Sequence, residues 1–161
     1  MDLEASLRTA ATPADVLAFV AELDKYPRWM SLVHTANRVA GTVEPTWDVE
    51  LRAKVGPFAR SKRLRMVRTT FEVGDATRIV FERRETDGRQ HAAWRLAVAV
   101  QRDPALSGGT TTAGSSVAGA TGTHLAMQLH YDGRFFVSVV ESILQQNIDA
   151  GRKRLGELLA G

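Results

Sequence analysis

The sequence predicts an α+β fold in which a curved antiparallel sheet of about seven strands wraps around one long C-terminal α-helix, with two short helices after the first strand. Three observations carry this prediction. Residues 2–10 alternate apolar and polar, the run from about 32 to 133 reads as strand after strand between turn residues, and residues 134–159 carry an apolar stripe at helical spacing. A long helix with one broad apolar face, placed after a curved sheet, buries that face most economically if the sheet wraps around it.

In the first strand Leu3, Ala5 and Leu7 point one way while Glu4, Ser6 and Arg8 point the other, as a half-buried strand requires. Thr12-Pro13-Ala14-Asp15 then reads as a helix start: Thr12 is the N-cap, Pro13 takes the first helical position and Asp15 returns a capping-box bond. Val16, Phe19, Val20 and Leu23 form one apolar stripe, so this helix is expected to end near Asp24. Tyr26-Pro27-Arg28-Trp29-Met30 restarts the chain as a turn or second short helix.

The strands that follow are divided by turn chemistry. Gly41 lies in or beside the first ribbon and Glu44-Pro45 follows it, Val55-Gly56-Pro57 divides the next pair, Gly74-Asp75 the next, and Asp87-Gly88 is a hairpin turn between Ile79-Val80-Phe81 and the alternating Ala92, Trp94, Leu96, Val98 and Val100. Leu64 and Met66 share one phase while Val67, Phe71 and Val73 share the other, which places a bulge or bend near Met66. Thr123 to Tyr131 is the last alternating strand, and Asp132-Gly133 turns the chain into the long helix. Its apolar face holds Phe136, Val140, Ile143, Leu144, Ile148, Leu155 and Leu158, with Asn147 and Gly151 in the middle. A glycine there costs roughly 1 kcal/mol of helix propensity against alanine. Close approach of sheet backbone, or space left for a ligand, offsets that cost.

The 161 residues fit one domain spanning 1–161. With 44% apolar residues the chain is not disordered, and its uncharged apolar runs are too short to span a membrane. Met1-Asp2-Leu3-Glu4 opens with acids, so no signal peptide is expected. Cysteine is absent, which excludes disulfides, thiol nucleophiles and thiolate metal sites and suits a cytoplasmic location. Residues 107–122 contain only Gly, Thr, Ser, Ala and one Val, so a mobile low-complexity hairpin loop is expected at about 104–122, as a linker or a lid.

The net charge of +3 is unevenly placed. No acid occurs between Glu50 and Glu72, while Arg52, Lys54, Arg60, Lys62, Arg63, Arg65 and Arg68 supply seven positive charges. This ribbon is a solvated convex face, a membrane-facing patch, or the source of one inward arginine. Unpaired buried charge is costly, which favours the outward reading.

Thr12-Pro13-Ala14-Asp15-Val16 through Leu23-Asp24-Lys25-Tyr26-Pro27-Arg28-Trp29-Met30, a capped helix followed by Tyr-Pro-x-Trp, resembles the opening of the START-like (SRPBCC) superfamily. That group includes the Bet v 1-like proteins and the polyketide cyclase/dehydrase and lipid-transport proteins. Trp47, the stretch Lys54-Val55-Gly56-Pro57-Phe58, the Trp94 strand and the final helix are also similar, so the resemblance covers nearly the whole chain. It implies a helix-grip fold and an elongated apolar cavity between sheet and helix.

Ligand-binding candidates follow from the inward phase and this resemblance: Tyr26, Trp29, Trp47, Leu51, Leu64, Met66, Phe81, Trp94, Leu96, Met127, Leu129, Phe136, Val140 and Asn147. Tryptophan and methionine make adaptable walls for a flat or flexible apolar guest, although the same residues could simply fill a core.

No catalytic residue is assigned. Gly-x-Ser-x-Gly, His-Glu-x-x-His, Walker and dinucleotide glycine patterns are all missing. His124 and His130 share the face opposite Leu125, Met127 and Leu129, roughly 20 Å apart. His34 and His91 lack the carboxylate spacing of a facial triad, so no metal and no cofactor is expected. The leading expectation is a carrier, sensor or transporter of a hydrophobic small molecule such as a lipid or polyketide-like aromatic. An aromatase/cyclase or dehydratase is the enzyme alternative, with Arg63, Arg65 or Arg68 inward and Tyr26, Asn147 or Ser61 assisting. A third reading is weak contact with an anionic membrane surface, because Lys54-Val55-Gly56-Pro57-Phe58 and its basic strand resemble the G-type subunits of carbon monoxide dehydrogenase. Nucleic acid is not an expected partner, since the ribbon lacks interleaved aromatics and a recognition helix. The oligomeric state is left open.

Overall fold

Residues 1–104, 122–133 and 137–161 are described by a computed structural model, with Val55 and residues 137–140 described in backbone only. Most of the expected 104–122 loop, and Phe136, lie outside these residues. In chain order the elements are β1 (Asp2–Thr9), α1 (Pro13–Val20), a 3₁₀ turn (Leu23–Arg28), β2 (Val33–Arg38), β3 (Thr46–Val55), β4 (Phe58–Glu72), β5 (Ala76–Arg84), β6 (Trp94–Asp103), β7 (Gly122–Tyr131) and α2 (Val137–Ala160). The seven strands form one antiparallel sheet in the order β1-β7-β6-β5-β4-β3-β2. The chain's first strand therefore pairs with its last, Leu3 opposite Leu129, while β2 is the other edge.

The α1 start is built as its residues dictate. Thr12 Oγ1 accepts from Asp15 N at 3.2 Å, Asp15 Oδ2 accepts from Thr12 N at 3.3 Å, and Pro13 occupies the first turn. The helix stops at Val20, short of the expected Asp24, and Leu23 instead opens the 3₁₀ turn. The carbonyl of Ala21, one of the orphaned acceptors at this end, receives a hydrogen bond from Arg68 Nη1 at 2.9 Å. Pro27 sits inside the 3₁₀ turn.

Gly56, at φ 60°, and Pro57 make a two-residue turn that pairs Val55 with Phe58, a hairpin geometry that glycine adopts without a Cβ penalty. The expected bend in β4 is present as a register shift between Arg68 and Thr70, a few residues beyond Met66. The β5–β6 connection is longer than a tight hairpin at Asp87-Gly88 and runs from Glu85 to Ala93.

The strand register puts Trp47, Leu51, Leu64, Met66, Phe81, Trp94, Leu96, Met127 and Leu129 on one face: Trp47 pairs with Met66, Phe81 with Leu96, and Leu96 with Leu129. This is the face that receives α1, the 3₁₀ turn and α2. Trp47 and Phe81 are both fully buried, their rings 5.7 Å apart and edge-on, and Tyr26 packs on Phe81 at 6.2 Å.

Candidate ligand-binding cavity

Between the sheet and α2 lies a cavity of about 90 Å³ with an apolar lining. Eight of the residues expected from the sequence border it: Tyr26, Leu51, Leu64, Met66, Trp94, Leu96, Met127 and Leu129. Ala5, Met30 and Ile148 also stand on its wall, outside the set of contacts expected from the sequence. Ala5 was legible as inward from the alternation of β1, whereas Met30 follows the 3₁₀ turn in irregular chain, where no periodicity reports direction. Every methionine except Met1 therefore faces this space. Methionine's unbranched, polarizable side chain lets such a wall change shape at low cost.

The remaining candidates stand elsewhere. Trp47 and Phe81 lie on the inward face but away from the cavity wall, because their rings are packed against each other and against the 3₁₀ turn. Trp47 Nε1 donates to Asp24 Oδ1 at 2.9 Å. Trp29 Nε1 donates to the carbonyl of Phe19 at 3.1 Å, which ties the 3₁₀ turn back to α1. Asn147 is turned to the helix surface, with Nδ2 donating to the Ile143 carbonyl at 2.7 Å and Oδ1 accepting from Ser31 Oγ at 3.2 Å. Phe136 lies outside the described residues, as does the side chain of Val140. The reason Gly151 is small is now visible. It faces the Trp29-Met30 segment rather than the sheet: a Cβ there would meet Met30 Sδ and Cε at 2.9 Å and the Trp29 carbonyl oxygen at 3.3 Å.

Two polar side-chain atoms belong to the lining residues. Tyr26 Oη donates to the buried Val20 carbonyl at 3.0 Å, and burial pushes its hydroxyl pKa far above the ordinary tyrosine value. Trp94 Nε1 is buried and has no hydrogen-bond partner among the described residues.

The basic ribbon divides between the two faces of β3 and β4. On the convex face Arg65 forms a two-pronged bond to Asp48, with distances of 2.9 and 3.2 Å, and Arg52 and Arg63 lie at 3.3 and 4.0 Å from Glu50. The Asp48 carboxylate raises the Arg65 pKa further through this hydrogen bond. Arg68 does turn inward, opposite Phe81, yet it is spent on the Ala21 carbonyl and stacks 4.7 Å from the Phe71 ring centre, away from the cavity. Lys62, which the sequence placed only in the ribbon, holds its Nζ 5.8 Å from the ring centre of the wall residue Trp94. Its phase with Leu64 and Met66 was the available signal.

One trio of potential metal ligands comes together among the described residues. The ligand atoms of Glu85, Asp87 and His91 lie within 4.8 Å of one another, all in exposed positions. His91 Nε2 is 2.9 Å from Asp87 Oδ2, and this hydrogen bond holds the Asp87 carboxyl below its ordinary range. The three residues lie on neither a helix nor a strand, and the path of the β5–β6 connection brings them together.

Comparison with known proteins places this fold in a family. The sequence model of the polyketide cyclase/dehydrase and lipid transport family matches residues 1–160. The chain belongs to this family. Among solved structures, this family member is similar to human StAR-related lipid transfer protein 5, at 11% identity and a TM-score of 0.74 over 99% of this chain and 75% of that one. It is similar also to TTHA0849 from Thermus thermophilus, at 16% identity and TM-score 0.61, covering 99% of this chain and 97% of that one. A third similar structure is the di-domain ARO/CYC BexL of the BE-7585A biosynthetic pathway, at 14% identity and TM-score 0.55; 98% of this chain and 49% of BexL are covered. At such identities the likeness shows a shared START-like helix-grip fold. No curated protein matches the chain. No helix among the described residues is long and apolar enough to cross a membrane.

Proposed function

We propose that this family member is a carrier or sensor of a hydrophobic small molecule, a lipid or polyketide-like aromatic, held between the sheet and α2. The observation that carries the reading is a space walled by apolar side chains, three methionines among them, with no charged residue among the described residues of its lining. Leu51, Leu64, Met66, Trp94, Leu96, Met127 and Leu129 are its proposed contacts, with the Tyr26 ring at one side. A cavity of about 90 Å³ is small beside ordinary ligand pockets of roughly 300–1,000 Å³. Binding on this reading therefore widens the site, and Met30, Met66 and Met127 are the side chains that move. Among the described residues no arginine, carboxylate or amide borders the cavity, which favours a carrier over an acid–base enzyme. The absence of cysteine suits a cytoplasmic carrier. Native mass spectrometry of the purified protein, with uptake of an apolar fluorescent dye, tests the reading. Retained apolar mass or saturable dye binding supports it, and neither being seen removes it.

A second reading is favoured by one feature, the tip of the β3–β4 hairpin. Phe58 is 67% exposed there, beside Lys54 and Arg60. An exposed aromatic flanked by cations suits contact with an anionic lipid surface, at about 1 kcal/mol per cation close to the headgroups. Co-sedimentation with phosphatidylserine vesicles but not phosphatidylcholine vesicles, weakened by Phe58→Ser, is the expected result; equal sedimentation with both excludes it.

A further inference from the structure

The unpartnered indole of Trp94 lies at one end of the cavity, and the surroundings of that end differ from the rest. Trp94 is only 7% exposed, and a buried donor without an acceptor carries a desolvation penalty that a neighbouring oxygen would remove. Its ring packs against Tyr131 with centres 4.6 Å apart. Lys62 Nζ stands 5.8 Å from the Trp94 ring centre and 5.7 Å from that of Tyr131. The register puts Lys62 opposite Leu51 and one pleat beyond Leu64, both wall residues, so its ammonium stands at the rim of the same space. Outside this rim a polar hollow of about 530 Å³ is bordered by Lys62, His91, Tyr131 and Asp132.

Two neighbouring side chains, Arg83 and His91, already have partners. Arg83 Nη1 donates to the Ala92 carbonyl at 3.2 Å and its Nε lies 3.9 Å from Glu85, while His91 is held by Asp87. Lys62 is half-buried, and Glu85, the carboxylate whose charge it feels, is engaged by Arg83. Desolvation and the neighbouring Arg83 both pull the Lys62 pKa down, so an anion brought to it gains a poorly solvated cation as partner.

We propose that the Trp94 end of the cavity is a head-group subsite, at which Trp94 Nε1 donates to an oxygen of an otherwise apolar ligand while Lys62 Nζ neutralises its charge. The ligand class is then an apolar body, acyl chain or fused ring, ending in a carboxylate. This inference rests on the carrier reading and adds the chemistry of the ligand's polar end. Nothing reacts at the subsite; it orients the guest and selects against uncharged hydrocarbons.

The test is calorimetric titration of 2-naphthoate, 2-acetylnaphthalene and naphthalene, with decanoate run alongside, into wild-type protein, Trp94→Phe and Lys62→Met, each first shown to melt cooperatively. In wild type 2-naphthoate is expected to bind best and naphthalene worst. Trp94→Phe, which trims the wall as well as removing the donor, should weaken both oxygen-bearing naphthalenes about five- to tenfold more than it weakens naphthalene. Lys62→Met, which keeps an apolar stem at the rim, should weaken only the two carboxylates, and the tighter of 2-naphthoate and decanoate identifies the apolar body. Equal affinities for the three naphthalenes, or equal losses across them in Lys62→Met, overturn the subsite while leaving the carrier reading intact. If Trp94→Phe does not fold, the Lys62→Met series decides alone. No binding of any probe by wild type defeats the carrier reading and the subsite with it.

Discussion

Gly151 of α2 and Met30, the residue two beyond the 3₁₀ turn, are in contact so close that a Cβ at 151 would sit 2.9 Å from the Met30 thioether. Met30 is also a wall of the cavity. The helix that covers the binding space is thus seated directly on one of the side chains that shape it, and a change at 151 is transmitted to the cavity.

Gly151→Ala is expected to be close to neutral for stability. A gain in helix propensity of roughly 1 kcal/mol is opposed by displacement of the Met30 tip. The displaced methyl moves within the cavity region, so dye affinity should fall while the melting temperature changes little. Gly151→Val, which also crowds the Trp29 carbonyl, should destabilise by about 1–3 kcal/mol in urea titration.

Ala5→Leu extends a side chain of β1 toward the 90 Å³ space. The expected result is loss of apolar dye uptake together with unchanged or slightly raised stability, up to about 1 kcal/mol, as in other cavity-filling changes. Uptake that persists unaltered in a folded Ala5→Leu protein would show that the dye binds elsewhere.

Tyr26→Phe separates a structural hydroxyl from a catalytic one. The Tyr26 hydroxyl already serves the Val20 carbonyl inside the core, and its removal leaves that acceptor unpaired. Denaturation midpoints should report a loss of about 1–2 kcal/mol. Ligand affinity should stay within twofold of wild type, roughly 0.4 kcal/mol.

The Tyr-Pro-x-Trp segment and the capping box were legible in the sequence because they are local: each depends on residues a few positions apart, and both are found where their spacing places them. The inward phase of the strands was equally legible. What was missed followed from contacts across the sheet. Arg68 lies before the register shift and shares the inward phase of Leu64 and Met66, but its partner, the Ala21 carbonyl, is distant in sequence and no local pattern reports it.

Acid sensitivity is expected at the β1–β7 edge. His130 Nδ1 lies 2.7 Å from Asp2 Oδ1, and this hydrogen bond lowers the Asp2 pKa from 3.8. Because the folded value lies below the unfolded one, the stabilisation is fully present above pH 3.8 and is lost as pH falls through the folded value. The pair is exposed, so the effect is small. Melting curves of wild type and Asp2→Asn should differ at neutral pH and converge in acid, and a difference that grows toward low pH would contradict the assignment.

From sequence alone came the element order, the caps, the inward phase of each strand and the family resemblance, since these follow from periodicity and from chemistry between near neighbours. Only the tertiary structure decided which inward residues touch empty space and which touch each other. Trp47 and Trp94 have the same phase and the same residue type, yet one is packed against Phe81 with its Nε1 bonded to Asp24, and the other borders the cavity with its Nε1 unpaired. That difference is set by partners from distant parts of the chain, Asp24 and Phe81 closing on Trp47 while Trp94 meets Tyr131 and the cavity, rather than by any local pattern.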